Sequence, residues 1–189
     1  MRIALQQIGH DKVLAGALNG KAALMGLLEA TMSEPTEPEP LFLDFAGVEV
    51  ATASFLRESI LAFRDIVRRR RSNFYPVVAN PNEAVRDELL ELVRVRGDVL
   101  MTCVLDEAGT VVSTAAVGNL DPKQQVTFDL VRQHGETDAA ELMRVYGETE
   151  GLKHATAWNN RLASLVTLGL IFETSMGRAK RYRPLFSGC

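Results

Sequence analysis

The chain has 189 residues, 47% hydrophobic and 24% charged, enough apolar material for one large domain or two small ones without disulfide or metal staples. No apolar run approaches the ~20 residues of a membrane span, and Gln6, Gln7, His10 and Asp11 break up the N-terminal stretch that a signal peptide would need. The net charge of −3 argues against a uniformly polyanion-binding surface, but residues 1–120 carry 12 basic and 16 acidic side chains while residues 121–189 carry 9 and 8, with four of those nine between Arg178 and Arg183. A local basic patch decides phosphate binding more than the total does.

From the N-terminus, Arg2 to Ile8 reads as an edge strand. Gly16 to Thr31 reads as a helix through Leu24, Leu27 and Leu28, weakened by Gly20 and Gly26. Ser33 to Pro40 is an acidic, proline-rich loop, because proline is excluded from helix interiors and central strands. Leu41 to Phe45 is a short apolar run, the mark of a buried strand. The spacing of Leu56, Ile60, Phe63 and Val67 predicts a helix over 53–70, closed by the cations Arg68 to Arg71 at the negative end of its dipole. That run also admits reading as a second nucleic-acid patch, although a solvated helix end beside an acidic loop is the plainer reading. Phe74 to Ala79 is the next strand. Asn82 caps a helix from Glu83 to Arg94, with Val85, Leu89 and Leu92 inward and Gly97 as its stop. Val99 to Leu105 and Thr110 to Ala116, joined by Asp106-Glu107-Ala108-Gly109, form a hairpin. Strands alternating with helices predict an α/β layer with helices against a mixed sheet.

Gly118 to Pro122 marks a boundary, giving domains over 1–118 and 119–189. Asp121, Pro122 and Gln124 open a helix with a capping-box pattern. Val126, Leu130 and Val131 are its apolar side, and Gly135 ends it. Thr137 caps a second helix, Asp138 to Tyr146, with Ala139, Leu142, Met143 and Tyr146 inward. A third runs from Lys153 to Leu168 on the stripe Trp158, Leu162 and Leu165, and Gly169 stops it. Leu170-Ile171-Phe172 begins a strand, Met176-Gly177-Arg178 turns, and Arg178 to Leu185 returns.

Three helices followed by a hairpin with a basic tip are the order of a winged helix-turn-helix. Residues 156–185 resemble the recognition helix and wing of bacterial regulators of the MarR and ArsR type, through the Leu162–Leu165 spacing, the Gly169-Leu170-Ile171 exit, and the basic wing with Tyr182. The resemblance implies double-stranded DNA as partner. With Trp158, Leu162 and Leu165 inward, Lys153, Thr156, Asn159 and Asn160 face outward and Arg161 lies at the edge of that face. Asn pairs with adenine through two bonds, and Thr meets a thymine methyl or a phosphate. Each outward Asn suits a solvated surface equally well. Arg178, Lys180, Arg181 and Arg183 are the candidate phosphate contacts.

In the first domain, Leu43-Asp44-Phe45, Gly47-Val48 and Ser54-Phe55 resemble the strand–loop–helix of STAS domains, and more closely a STAS-like family of unknown function (DUF4325). STAS antagonists are switched by a phosphoserine in an Asp-Ser-Ser-Gly motif at this helix start. Here the segment is Thr52-Ala53-Ser54-Phe55, so Ala53 stands at the acceptor position. Ser54 and Thr52 remain chemically able to take phosphate, and a role as helix-capping hydroxyls is the plainer reading.

No nucleophile with an evident base is visible, so the chain reads as a non-enzyme, with Asp44 as a turn-capping carboxylate. The cysteines Cys103 and Cys189 and the histidines His10, His134 and His154 are scattered, so no metal or cofactor is expected. A reduced, cytoplasmic setting and Cys103 as a core thiol fit this cysteine usage. The leading expectation is a DNA-binding regulator, homodimeric because two half-sites add their binding energies. Its STAS-like domain supplies dimerisation, sensing or partner docking. The alternative is a signalling adaptor whose winged helix is a protein surface.

Overall fold

A computed structural model of the chain describes residues 1–9, 11–177 and 179–186; His10, Arg178 and Cys189, named above, lie outside them. The chain divides into two units, residues 1–119 and the segment from Leu120 onward.

The first unit is a mixed α/β layer. Strand β1 (Arg2–Ala4) leads into helix α1 (Leu5–Gly9), and β2 (Val13–Leu14) precedes α2 (Ala17–Ala30). Then come β3 (Glu39–Asp44), β4 (Val50–Ala51) and a long helix in three parts. The parts are α3 (Ala53–Leu56), a π-helical turn (Arg57–Leu61) and α4 (Ala62–Arg69). Strand β5 (Phe74–Ala79), α5 (Glu83–Arg96), β6 (Val99–Leu105) and β7 (Val111–Gly118) complete the unit. The sheet order is β1-β3-β5-β6-β7. It is parallel from β1 to β6 and closed by the antiparallel β6–β7 pair. A short parallel pair, β2–β4, ties the start of α2 to the start of α3.

One apolar layer joins the inward stripes of the helices to alternate strand residues. Ala23, Leu27, Phe55, Ile60, Phe63, Val67, Val85 and Leu89 meet Leu41, Leu43, Phe74, Val78 and Leu100 in a single buried cluster. The predicted stripe Leu56, Ile60, Phe63 and Val67 is buried throughout. The π turn adds Ser59 and Leu61 to the buried face, because one extra residue per turn shifts the helix's phase. Gly20, a weak point by propensity, is a packing requirement: a Cβ there would lie 2.8 Å from the Phe55 carbonyl oxygen. Asn82 caps α5 through the Val85 amide at 2.9 Å, and the helix runs to Arg96, two residues beyond the predicted Arg94, where Gly97 ends it in the left-handed region.

Three expectations need correction here. The predicted strand over Arg2–Ile8 stops at Ala4, and Leu5–Gly9 is helical. The prolines do not end the loop at Pro40, since β3 starts at Glu39 and contains Pro40. Glu39 donates toward the β5 side and Phe42 toward Met1, so the N–H that Pro40 lacks would point past the beginning of β1. Of the arginine run, Arg68 is folded inward: its guanidinium lies 3.8 Å over the Tyr75 ring and donates to the Ser72 carbonyl. Arg69, Arg70 and Arg71 stay exposed.

A buried charged group escaped sequence reading. Arg64 donates to the Val99 carbonyl at 2.9 Å, to Asp65 at 3.2 Å and to Asp98. It ties α4 to the start of β6, while Arg96 reaches Asp65 at 2.6 Å from the end of α5.

The second unit is α6 (Pro122–His134), α7 (Ala139–Tyr146), α8 (Thr156–Leu168) and the antiparallel hairpin β8 (Ile171–Met176) and β9 (Ala179–Pro184). Its core holds Phe128, Val131, Ala139, Leu142, Trp158, Leu162, Leu165, Leu170, Ile171, Phe172 and Tyr182. Asp121 forms the full capping box with Gln124, with Pro122 in the first turn. Val131 is buried as predicted and Leu130 is half-buried, but Val126 is exposed, and Thr127 and Phe128 point inward instead. Met143 and Tyr146 are half-buried. Asp138, and not Thr137, caps α7, through the Glu141 amide at 2.8 Å. Thr137 pairs with Tyr182 as an isolated bridge, fastening the start of α7 to β9. No helix among the described residues is long and apolar enough to cross a membrane.

Candidate nucleic-acid interface

Helix α8 is held by its apolar stripe. Trp158, Leu162 and Leu165 are fully buried, and Gln124 of α6 donates to the Ser164 hydroxyl at 2.7 Å. The opposite side is exposed and bears Thr156, Asn159, Asn160, Ala163 and Thr167, a face without charge. Asn159 and Asn160 lie in its first turn and a half, which suits a helix entering a groove by its N-terminal end. Lys153 is exposed too, but the helix begins at Thr156, so Lys153 lies in the preceding loop and not on the helix as expected.

Arg161 belongs to the structure more than to the surface. It bonds Glu150 at 2.9 Å and lies 4.8 Å over the Trp158 ring, which clamps the α7–α8 loop onto α8. Arg144, which sequence reasoning passed over, is exposed on α7.

The hairpin carries Lys180, Arg181 and Arg183 on β9, and each has an intramolecular contact. Lys180 meets Glu173 at 2.9 Å, diagonally across the strand pair. Arg181 bonds Glu136 and Asp138 at 2.9 Å each, with Glu141 at 3.9 Å. Arg183 lies 4.6 Å over the Phe172 ring, the residue directly opposite it. Arg178 lies outside the described residues. Backbone donation from Glu141, reinforced by Arg181, holds the Asp138 carboxyl below its ordinary value. The carboxylates Glu136 and Asp138 in turn push Arg181 up, which keeps it charged. Tyr182 is buried, and burial, then Glu173, push its phenol up to about 12, so it stays neutral.

In the first unit, Thr52 accepts from the Phe55 amide at 3.4 Å and the Gly16 amide at 3.2 Å, and shares a 3.2 Å hydrogen bond with Ser54. Both hydroxyls are half-buried and engaged in closing the helix start. Asp44 is buried. It accepts from Arg2 Nε at 2.7 Å, Asn80 Nδ2 at 2.8 Å and the Ala46 amide at 3.0 Å. The Asn80 side chain also accepts from the Leu105 amide at 2.8 Å. Asp44 and Asn80 thus fasten the ends of β1, β3, β5 and β6, and Asp44 closes the turn after β3. The Cys103 thiol is pushed up to about 12 by burial and then by Asp44, which makes it an inert core group.

No protein-family model matches the chain, and no curated protein matches it.

Proposed function

We propose that the chain is a DNA-binding regulator, in which the second unit acts as a winged helix and the first as a STAS-like domain that pairs copies, senses a signal or docks a partner. The observation that carries this reading is the uncharged polar face of α8, with Thr156, Asn159 and Asn160 exposed at its N-terminal end, their side chains without a hydrogen bond among the described residues, and a cation-bearing hairpin following in the same unit. Phosphate contacts position such a module, and amide side chains at base edges specify the sequence. Because Lys180 and Arg181 already have carboxylate partners, phosphate must displace Glu173, Glu136 and Asp138. Four unengaged wing cations would give a salt slope of about −3.6, at about −0.9 per contact; the slope expected here is shallower. Selection from random duplex DNA at 50 mM salt tests the proposal. Enrichment of one sequence, lost with Asn159→Ala and Asn160→Ala, is the expected result.

One observation favours a second reading. Each described cation of β9 has an intramolecular contact, and α8 presents no charge, so the same face also suits a protein surface in a signalling adaptor. Failure of the selection together with salt-insensitive binding of a protein ligand would favour it.

A further inference from the structure

Helix α2 exposes large apolar side chains among a few polar ones, Asn19, Lys21 and Glu29. Gly20, Ala23 and Leu27 face the core, yet Leu18 is 82% exposed, Met25 65% and Met32 81%. Ala22 is exposed between them. Large apolar side chains grouped on an exposed surface and rimmed by polar ones suit an interface. Leu18 and Met25, seven positions apart, lie on one seam of the helix, and Met32 follows two residues past its end at Ala30. Lys21 and Glu29 flank the seam, both exposed and without a partner among the described residues.

We propose that this seam pairs with a second copy of itself, α2 against α2 in antiparallel orientation, on a two-fold axis through Met25. The sequence around Met25 is self-complementary under that operation. Each step forward meets the same step backward in the partner, so Met25 meets Met25, Ala22 meets Leu28, Lys21 meets Glu29 and Leu18 meets Met32. The charges therefore match twice, once on each side of the axis, as an isologous contact requires. A parallel pairing would set Lys21 against Lys21 and Glu29 against Glu29. The small Ala22 permits close approach near the axis. At the outer end, where the Leu18 of the other copy arrives beside Met32, a cavity of about 200 Å³ opens, its lining shared between apolar residues such as Leu28 and Val67 and polar ones such as Glu34 and Arg70. Fourteen residues span about 21 Å, so the seam alone falls short of the ~800 Å² per partner of a standard interface, and the dimer is of the reversible kind.

The inference specifies the dimer expected of the DNA-binding reading, but it rests on the first unit alone and its test contains no DNA, so either can fail without the other. Sedimentation equilibrium of the full chain, from 1 to 200 μM at 50 mM salt, should show a monomer–dimer equilibrium. Met25→Lys places two like charges on the axis and should leave only monomer. Lys21→Glu and Glu29→Lys should each weaken the dimer about tenfold, since both flanking pairs become repulsive. The double variant should recover the original affinity, and an equimolar mixture of the two single variants should form heterodimers. Circular dichroism of each variant confirms that it is folded. A wild-type chain that stays monomeric at 200 μM, a dimer indifferent to Met25→Lys, or a double variant no better than the singles would overturn the proposal.

Discussion

Two arginine clusters in this molecule share one chemistry and differ in exposure. Arg64 sits among Asp65, Asp98 and the Val99 carbonyl with its side chain 7% exposed. Arg181 sits among Glu136, Asp138 and Glu141 with its side chain 31% exposed. Water cannot replace the partners of Arg64, so that cluster is a fixed joint between α4 and β6. Water, salt or a phosphate can replace those of Arg181, which makes the second cluster exchangeable. The same contrast runs through the two units. In the first, polar groups such as Asp44 and Asn80 are fully engaged in tying strand ends together. In the second, the capping carboxylate Asp138 also holds a hairpin cation, so fold and candidate interface share one residue.

The contrast yields graded expectations. Asp98→Ala takes from the buried Arg64 guanidinium its most buried carboxylate partner, leaving Asp65 and the Val99 carbonyl, and should cost about 3 kcal/mol in urea denaturation, the lower end expected for a broken buried pair; a loss below about 1 kcal/mol would show that the joint is hydrated and the contrast false. Asp138→Ala should cost about 1 kcal/mol, the usual worth of an N-cap. The sign with pH is fixed. The folded Asp138 carboxyl is held low, so its contribution is present above the ordinary value of about 3.9 and is lost as pH falls through the lowered folded one. The stability gap between wild type and Asp138→Asn should accordingly close in denaturation series taken from pH 7 toward pH 3. Glu136→Gln should leave the denaturation midpoint almost unmoved, because the pair it breaks is exposed and screened by solvent. It should nevertheless tighten DNA binding, because Arg181 gains freedom for phosphate, while Arg181→Ala should loosen it. Equal binding by Glu136→Gln, Arg181→Ala and wild type would remove the wing from the interface.

The sequence was most informative where structure is local. The Asp121 box, the Asn82 cap, the stops at Gly97 and Gly169 and the stripe Trp158–Leu162–Leu165 depend on neighbours within a turn or two, and all stand as read. Errors arose where two local signals compete. Arg2 to Ile8 fits either period, and the parallel pairing with β3 captures only its first residues. Thr137 and Asp138 are both good caps, and a bridge to Tyr182 takes Thr137 out of contention. The outward placement of Thr156, Asn159 and Asn160 was legible because the buried stripe fixes the opposite face. The pairing of the cations was not: Arg181 lies 45 positions from Glu136, and Arg64 lies 34 from Asp98. Spacing along the chain carries no information about such contacts, so two cations of the basic hairpin, Lys180 and Arg181, have carboxylate partners in the fold that the sequence did not reveal.

The central claim is that the second unit reads DNA through the N-terminal half of α8, and competition binding tests it most directly. Once selection has yielded a duplex, its affinity is compared at 50 mM salt with that of a scrambled duplex, for wild type and for the Asn159→Ala, Asn160→Ala double variant. The account predicts at least about a hundredfold preference in the wild type, reduced by about tenfold or more in the variant, at about 1–3 kcal/mol per bidentate contact. Equal affinity for both duplexes, or a preference that survives loss of both asparagines, would contradict it.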